Sequence, residues 1–409
     1  MDKVKVARTI VEITGDEMAQ VIWELVRERI IDPVLQIPLD SYDLSLPNRE
    51  LTGDAVTSEA AAAILEHGVA VKCSTITPDK ARAEEYGLTH LWRSPNGTLR
   101  KALDGVIFRE PVIIESIEPL VPHWQAPIVI ARHANADQYQ ATDFSVPGAG
   151  TLTLNYAPAD GGETIIREVA EFGPDGGVAL GMYNNTDSIA TFARACFSFA
   201  LNANYPVYLS TKNTVLKAYD GLFTEVFETV FAKEFSEAFA ERELTYEHRL
   251  IDDMVAYAIK SSGGFLWALK NYDGDVQADI VAQGFGSPGL MGSVLATADG
   301  RIQLSEAAHG TVARHYRRHR AGDRVSTNPI ATILAWGRAL EHRAKLDEDA
   351  VLLAVAGDLR RAVAGTVDAG IVTDDLVSLS AVATTGSSTQ EFIDAVASRF
   401  HRMVAGHRV

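Results

Sequence analysis

Two aspartates four residues apart, Asp275 and Asp279 in "NYDGDVQADIV", share one face if that segment is helical. A second acidic pair, Asp252 and Asp253 in "HRLIDDMVAYAIK", stands at another predicted helix start. Carboxylates without neighbouring Cys or His are hard oxygen ligands, which suit Mg2+ or Mn2+ rather than zinc. "DGDVQAD" lacks the full spacing of an EF-hand loop, which argues against a calcium loop. The competing reading is that acids at helix N-termini only cap the helix and complement its dipole. Spacing alone leaves both readings open.

Cations form the other half of the chemistry. Ser94, Asn96, Arg100 and Arg109 gather within "WRSPNGTLRKALDGVIFRE", which reads as one polar loop. The chain of 409 residues carries 37 Lys+Arg against 54 Asp+Glu, a net charge of -17. Grouped arginines in so acidic a background have an anion to bind or an acidic neighbour to hold. Lys212, in "STKNT", follows the predicted strand "YPVYL" and so emerges at a strand's carboxyl end, where α/β proteins place ligands. Beside a metal such a lysine can take part in proton transfer; away from one it is simply solvated.

"EAAHGTVARHYRRHR" (306–320) combines small residues, which let a ligand approach the backbone, with Arg314 and His315 as cationic donors. The combination suits a phosphate such as the 2′-phosphate of NADP. A solvated helix face is the plain alternative, and the net negative charge argues against a nucleic-acid patch. "GFGSPG" (284–289) satisfies G-x-G-x-x-G after the strand-like "ADIVAQ", and Glu306 stands twenty residues beyond Gly286. No βαβ frame surrounds it, and Pro288 lacks the N–H that should face a pyrophosphate. It is predicted to be a tight turn near a ligand, not a Rossmann fingerprint.

These groups need elements to hold them. The length allows two or three domains, and 47% hydrophobic with 22% charged residues is an ordinary globular balance. "VKVARTIVEI" is predicted as a strand, and Thr14 to Glu17 has capping-box spacing before a helix with Met18, Val21, Ile22 and Leu25 on one face. "SEAAAAILEH" is a helix ending at Gly68, with "VAVKCST" a buried strand after it. "PIVIARHA" (127–134) is another strand. The alternation predicts a parallel-type α/β sheet. Residues 151–178 read as a β-hairpin arm, and 218–270 as mainly helical. Ser388 and Glu391 form a second capping-box candidate. No apolar run is long enough for a membrane span; even "AVLLAVAG" breaks at Asp358. Cys73 and Cys196 make neither a disulfide framework nor a metal spacing. With no targeting pattern at the start, a cytoplasmic protein without membrane or nucleic-acid partners is expected.

Taken together, "VKCSTITPD", "LWRSPNGTLR", "ARHANADQYQATDF", "YLSTKNT", "YEHRLIDDMVA", "NYDGDVQAD" and "AAHGTVARHY…STNPIA" resemble the NADP-dependent isocitrate dehydrogenases of the homodimeric, eukaryotic-like type. The match runs in order from about Asp16 to about Leu346. The resemblance implies an α/β isocitrate/isopropylmalate dehydrogenase-like fold that is not Rossmann. It divides the chain into a large domain (1–103 and 286–409), a small domain (104–136 and 186–285) and a β-rich clasp (137–185). It implies the oxidative decarboxylation of isocitrate to 2-oxoglutarate, a reaction of the tricarboxylic acid cycle, with NADP and Mg2+ or Mn2+.

The same resemblance assigns residues. Thr77, Ser94, Asn96, Arg100, Arg109 and Arg132 would bind isocitrate, a trianion that guanidinium forks hold bidentately. Asp252, Asp275 and Asp279 would hold the metal, and Tyr139 and Lys212 would transfer protons. Thr75, Ile76, Thr77, Arg82, Gly310, Thr311, Val312, Ala313, Arg314, His315, Asn328 and the partner's Lys260 would bind NADP. Lys212 and Asp252 would come from the second subunit, so that one chain has no complete site. Asn135, Ala136, Gln140 and Tyr257 depart from the family's pattern beside Arg132, Tyr139 and Lys260. A metal-dependent homoisocitrate or isopropylmalate dehydrogenase is the nearest rival, and such relatives have apolar residues where Ser94 and Asn96 are polar. A non-catalytic dimer binding an anion or RNA is the rival of another class. An intact Tyr139, Lys212 and three aspartates stand against it.

Overall fold

The computed structural model describes residues 3–408. Its frame is one ten-stranded sheet. Across it run Tyr246–Leu250, Val207–Thr211, Phe265–Leu269, Ile128–His133, Val106–Pro111, Met291–Ala296, Gln303–Ala307, Val69–Lys72, Ile10–Thr14 and Leu39–Asp43. The sheet is mixed rather than parallel. Val106–Pro111 pairs antiparallel with both Ile128–His133 and Met291–Ala296, which is itself antiparallel to Gln303–Ala307. The flanking pairs are parallel. The Met291–Ala307 hairpin turns at Gly300, whose φ of +67° favours glycine.

Several expectations are corrected by pairing that local pattern does not specify. The opening strand is two: Val4–Lys5 pairs with Leu35–Gln36, and only Ile10–Thr14 enters the large sheet. The N-cap position of the helix Glu17–Val26 is Asp16, whose carboxyl accepts from Leu46 and Ile76 instead of the helix, and the Thr14 hydroxyl faces Tyr42 and Asp43, so no capping box forms there. The segment 218–270 contains two strands, Tyr246–Leu250 and Phe265–Leu269, between its helices. "ADIVAQ" belongs to the helix Asn271–Gly284, with Ala278, Val281 and Ala282 buried at helical spacing. The supposed polar loop is a helix, Pro95–Leu103, followed by the strand Val106–Pro111.

Other elements are as the sequence indicates. Helix Ala55–His67 ends at Gly68 with φ +75°, and Ser388 and Glu391 form the reciprocal capping box of Thr389–Ala405. The arm consists of two antiparallel pairs, Thr142–Val146 with Gly177–Gly181 and Gly150–Tyr156 with Ile165–Phe172. "GFGSPG" ends a helix and makes a tight turn through Gly286, φ +121°.

Among the described residues four apolar clusters cover the frame, two on each half of the sheet, with alternate strand residues in different clusters. Helices Ile330–Asp347, Ala350–Asp368 and Thr389–Ala405 bury one core, which contains Trp23 and Trp336 with ring centroids 5.2 Å apart. Helices Thr186–Ala203 and Tyr219–Val230 bury another, rich in phenylalanine. Gly274 lets the helix Asn271–Gly284 lie directly on Ile128–His133, because a Cβ there would stand 2.8 Å from the Arg132 Cβ. That close approach brings Asp275 to Arg132.

Candidate active site

Neighbouring residues on a strand point to opposite faces. Arg109 faces the helix Asn271–Gly284, with Nη1 3.2 Å from Asp279 Oδ1 and Nη2 3.7 Å from Asp275 Oδ1. Glu110 faces the other way and pairs with Arg338. Arg132, on the next strand, donates from Nε to Asn271 Oδ1 at 2.9 Å and from Nη1 to Asp275. Its guanidinium lies 4.6 Å from the Tyr139 ring, and the Tyr139 hydroxyl also donates to Asp275. Arg100 lies 3.9 Å from Glu306, whose other oxygen is 3.6 Å from Lys72 Nζ. The helical spacing of Asp275 and Asp279 thus meets arginines from two antiparallel strands.

The arginines do have acidic neighbours, but these do not use them up. Arg109 Nε, Arg132 Nη2 and Asn96 Oδ1 are buried without a hydrogen-bond partner. A buried unsatisfied polar atom costs roughly 1–3 kcal/mol, so the two on Arg109 and Arg132, which share Asp275, mark a site awaiting a polar ligand. Burial, then repulsion from Arg100, pushes Arg132 down to about 10. Arg100 is also lowered, by burial first, with Glu306 opposing and Arg109 adding to the effect. An anion would relieve both. Burial would raise the Glu306 carboxyl, but Lys72, Arg100 and Arg109 outweigh it and hold it below the ordinary range. Burial, helped by the bond to Asp275, raises Tyr139, which therefore keeps its proton at neutral pH.

Lys212 and Asp252 form a separate centre. Lys212 follows Val207–Thr211, and its Nζ donates to Asp252 Oδ1 at 2.6 Å. That bond holds the Asp252 carboxyl below its ordinary range. Among the described residues neither group bonds to the arginine cluster, and no three His, Cys, Asp or Glu side chains come together as a metal site. One chain thus offers two hard carboxylates on one helix and a third elsewhere.

The predicted cofactor residues line two loops. Thr75 Oγ1 and His309 Nε2 are buried without partners, which fits a hydrogen-bonding ligand between the segments 73–77 and 309–313. Ser74 ties the loops by donating to His309 O at 2.7 Å, and Thr311 Oγ1 donates to Glu17 Oε2 at 2.5 Å. The Ile76 N–H donates to Asp16 Oδ2 at 2.8 Å, while Thr77 is exposed. Arg82 is held 2.8 Å from Glu17. Gly310 is open, and Val312 at φ +57° begins the helix Ala313–Arg320. Arg314 is exposed with no ion pair among the described residues; His315 Nδ1 lies 2.7 Å from Thr327 Oγ1. Burial, then Arg318 and Arg314, lowers His315. Asn328 is committed to Asp375 and to the Ile330 N–H. Ser94 stands at the N-terminus of Pro95–Leu103. Lys260 is exposed at the end of the helix that carries Asp252, apart from these loops.

Sequence reading missed Lys72, Asp137, Asp220, Lys270 and Asn271, all buried polar residues that brace the site. Asp137 accepts from Asn184 at 3.0 Å, Tyr219 at 2.5 Å and the Asn271 N–H at 3.1 Å. Its signal was faint: a charged residue at a strand's end, with partners far along the chain. The departing residues Asn135 and Gln140 bond to each other at 3.1 Å and onward to Ser188 and Tyr183. Tyr257 stacks 4.4 Å from the Arg249 guanidinium. Two cavities of about 490 and 780 Å³ exist elsewhere, and no candidate residue lines them.

A profile described as isocitrate/isopropylmalate dehydrogenase matches residues 5–396. Isocitrate dehydrogenase (NADP) 1 of Mycobacterium tuberculosis is 55% identical over 403 residues, covering 98% of each chain. Isocitrate dehydrogenase (NADP) of Sphingobium yanoikuyae is 54% identical over 396 residues, covering 97% of each. The mitochondrial isocitrate dehydrogenase (NADP) of Sus scrofa is 51% identical over 406 residues, 98% of this chain and 96% of its own.

Proposed function

The chain belongs to the isocitrate/isopropylmalate dehydrogenase family, and on that footing we infer that it oxidises and decarboxylates isocitrate to 2-oxoglutarate and CO2 while reducing NADP+ to NADPH. The observation that carries the reading is the set of buried, unpartnered donors on Arg109 and Arg132 beside Arg100. Three guanidinium groups answer three carboxylates. The polar pair Ser94 and Asn96 favours a substrate with a third carboxylate over one with an apolar side chain.

Asp275 and Asp279 of one subunit, with Asp252 of a second, would hold Mg2+ or Mn2+; these are hard oxygen donors of the right kind. When bound, the cation would supply positive charge at the C2 hydroxyl and at the developing enolate, and NADP+ would take the hydride while the C2 hydroxyl proton passes to a base through water. Arg100, Arg109 and Arg132 orient the substrate. Tyr139 keeps its phenolic proton until CO2 has left and then, with Lys212 of the second subunit, delivers a proton to C3. Thr75, His309 and the Gly310–Ala313 turn would receive the cofactor backbone, and Arg314 and His315 its 2′-phosphate.

A homodimer is part of this proposal. Exposed apolar side chains on the arm, among them Val178 at 79% and Tyr156 at 62%, support its use as a clasp between copies. The same reading assigns 1–103 and 286–409 to a large domain and 104–136 and 186–285 to a small one. It also places Lys260 at the partner's cofactor. No helix among the described residues is long and apolar enough to cross a membrane. Two buried free cysteines suit a reducing compartment, and we place the protein in the cytoplasm.

The test follows NADPH absorbance with purified protein, isocitrate and Mn2+, using NADP+ and NAD+ separately. A rise with NADP+ that EDTA and Lys212→Met abolish is expected. No rise from a folded dimer would move the assignment to another 2-hydroxyacid.

A further inference from the structure

Asp220 is completely buried at the start of the helix Tyr219–Val230, and each of its oxygens holds a different part of the active-site machinery. Oδ2 accepts the backbone N–H of Lys212 at 2.7 Å. Oδ1 accepts Lys270 Nζ at 2.7 Å. Lys270 is itself buried, and it is the residue from which the helix Asn271–Gly284 starts. Its carbonyl accepts the Gly274 N–H at 2.8 Å, so holding the lysine holds the first turn beneath Asp275. The next residue, Asn271, fixes Arg132 through Nε at 2.9 Å.

We propose that Asp220 is a positioning residue whose ion pair with Lys270 locks the Lys212 turn to the N-terminus of the helix bearing Asp275 and Asp279. The proposal rests on the shared-site reading above, in which Lys212 serves the partner's site and Asp275 its own. One buried pair in each chain then sets the proton-transfer lysine of one active site and the metal carboxylates of the other. A shift at either site reaches the second through a single carboxylate, without crossing the subunit interface.

The pair has the physical properties this task needs. Two buried, fully engaged charges strongly resist displacement, because removing either strands the other in low dielectric. The directional bonds also fix geometry as well as distance. Neither residue contacts the arginines, so neither is expected to bind substrate.

The test uses mixed dimers, one chain carrying Lys212→Met and the other Asp275→Asn, isolated with two affinity tags. On the shared-site reading such a dimer keeps one intact site, built from Asp275 of the first chain and Lys212 of the second. Asp220→Leu with Lys270→Met, which removes both charges of the buried pair and leaves only the part-exposed Asp273, 3.6 Å from Lys270, without its cation, is then placed on either chain. On the Lys212-supplying chain, kcat is expected to fall about 10- to 100-fold with isocitrate KM little changed. On the Asp275-supplying chain, Mn2+ affinity, read from the free-ion EPR signal, is expected to weaken by a similar factor. An effect in one placement only, or in neither, with dimer mass and circular dichroism unchanged, overturns the coupling. If the parent mixed dimer is already inactive, the shared-site reading fails first, and the inter-site link falls with it. Should the double substitution not fold, Asp220→Asn, which removes one acceptor oxygen and the charge, is read in the same way.

Discussion

Replacing Arg132 by Gln separates the cost of holding a charge ready from its use. In the folded protein this guanidinium falls from its ordinary value to about 10, chiefly through burial and then through Arg100. One pKa unit is 1.36 kcal/mol, so the charged form is held against roughly 3 kcal/mol at neutral pH. The sign follows from a depressed base: the penalty is present at every pH below about 10 and disappears only as pH rises toward the ordinary guanidinium range. Asp275 already offsets part of the burial cost within that value, so the bond to Asn271, about 1.5–3 kcal/mol, is what stands against it. Arg132→Gln is therefore expected to leave the stability of the empty protein within about 1–2 kcal/mol of the parent. Catalysis should not be spared. The free Nη2 and the shared Nη1 would each meet a substrate carboxylate, and losing one charge-assisted contact of about 1.5–3 kcal/mol lowers kcat/KM roughly 10- to 150-fold. Urea unfolding with and without isocitrate, alongside NADPH formation, reads both quantities. Isocitrate should stabilise the parent distinctly more than the variant. A variant that loses 4 kcal/mol or more when empty, yet keeps the full stabilisation by isocitrate, would show Arg132 to be a structural tie and refute the reasoning.

Arg314→Ala removes an exposed, unpaired cation, so the fold should not notice; the KM for NADP+ should rise roughly 5- to 30-fold while NAD+ kinetics stay unchanged. Equal effects on both cofactors would remove Arg314 from the 2′-phosphate. Burial holds His133 down to about 4, so the native state stays neutral while the unfolded chain takes up a proton below about 6.5. The stabilisation is complete above that pH and is lost toward 4, by up to roughly 3 kcal/mol. Urea midpoints across this range should fall for the parent and flatten for His133→Asn. Ala136 lies at φ 54°, ψ −142°, a region that glycine alone enters freely. Ala136→Gly should relieve about 1–3 kcal/mol of strain and give back about 0.5–1 through the freer unfolded chain. Unfolding free energy should therefore rise by about 1 kcal/mol, and an unchanged value would mean that the Cβ packs usefully.

What the sequence determined by itself was local or compositional. Asp275 and Asp279 share a helix face because their spacing is one helical turn; Gly68 ends its helix because φ +75° favours glycine; Ser388 and Glu391 cap reciprocally across three residues. The buried strand before Lys212 was legible in its apolar run, and the turn at "GFGSPG" in its glycines and proline. The assignment of Arg132, Tyr139 and the cofactor positions came from family resemblance, since no periodicity marks them. Tertiary structure decided the rest. Arg109 meets Asp279 170 positions further along the chain, and Glu306 meets Lys72 on the neighbouring parallel strand, because the order and register of the strands bring these segments together. Asp220 and Lys270 look like ordinary surface charges in a helical stretch; the sheet order buries them together and leaves each as the other's partner. Helix periodicity, caps and turns depend on residues a few positions apart and can be read along the chain. A buried charge depends on what the fold brings against it, and that partner is named only by the packing.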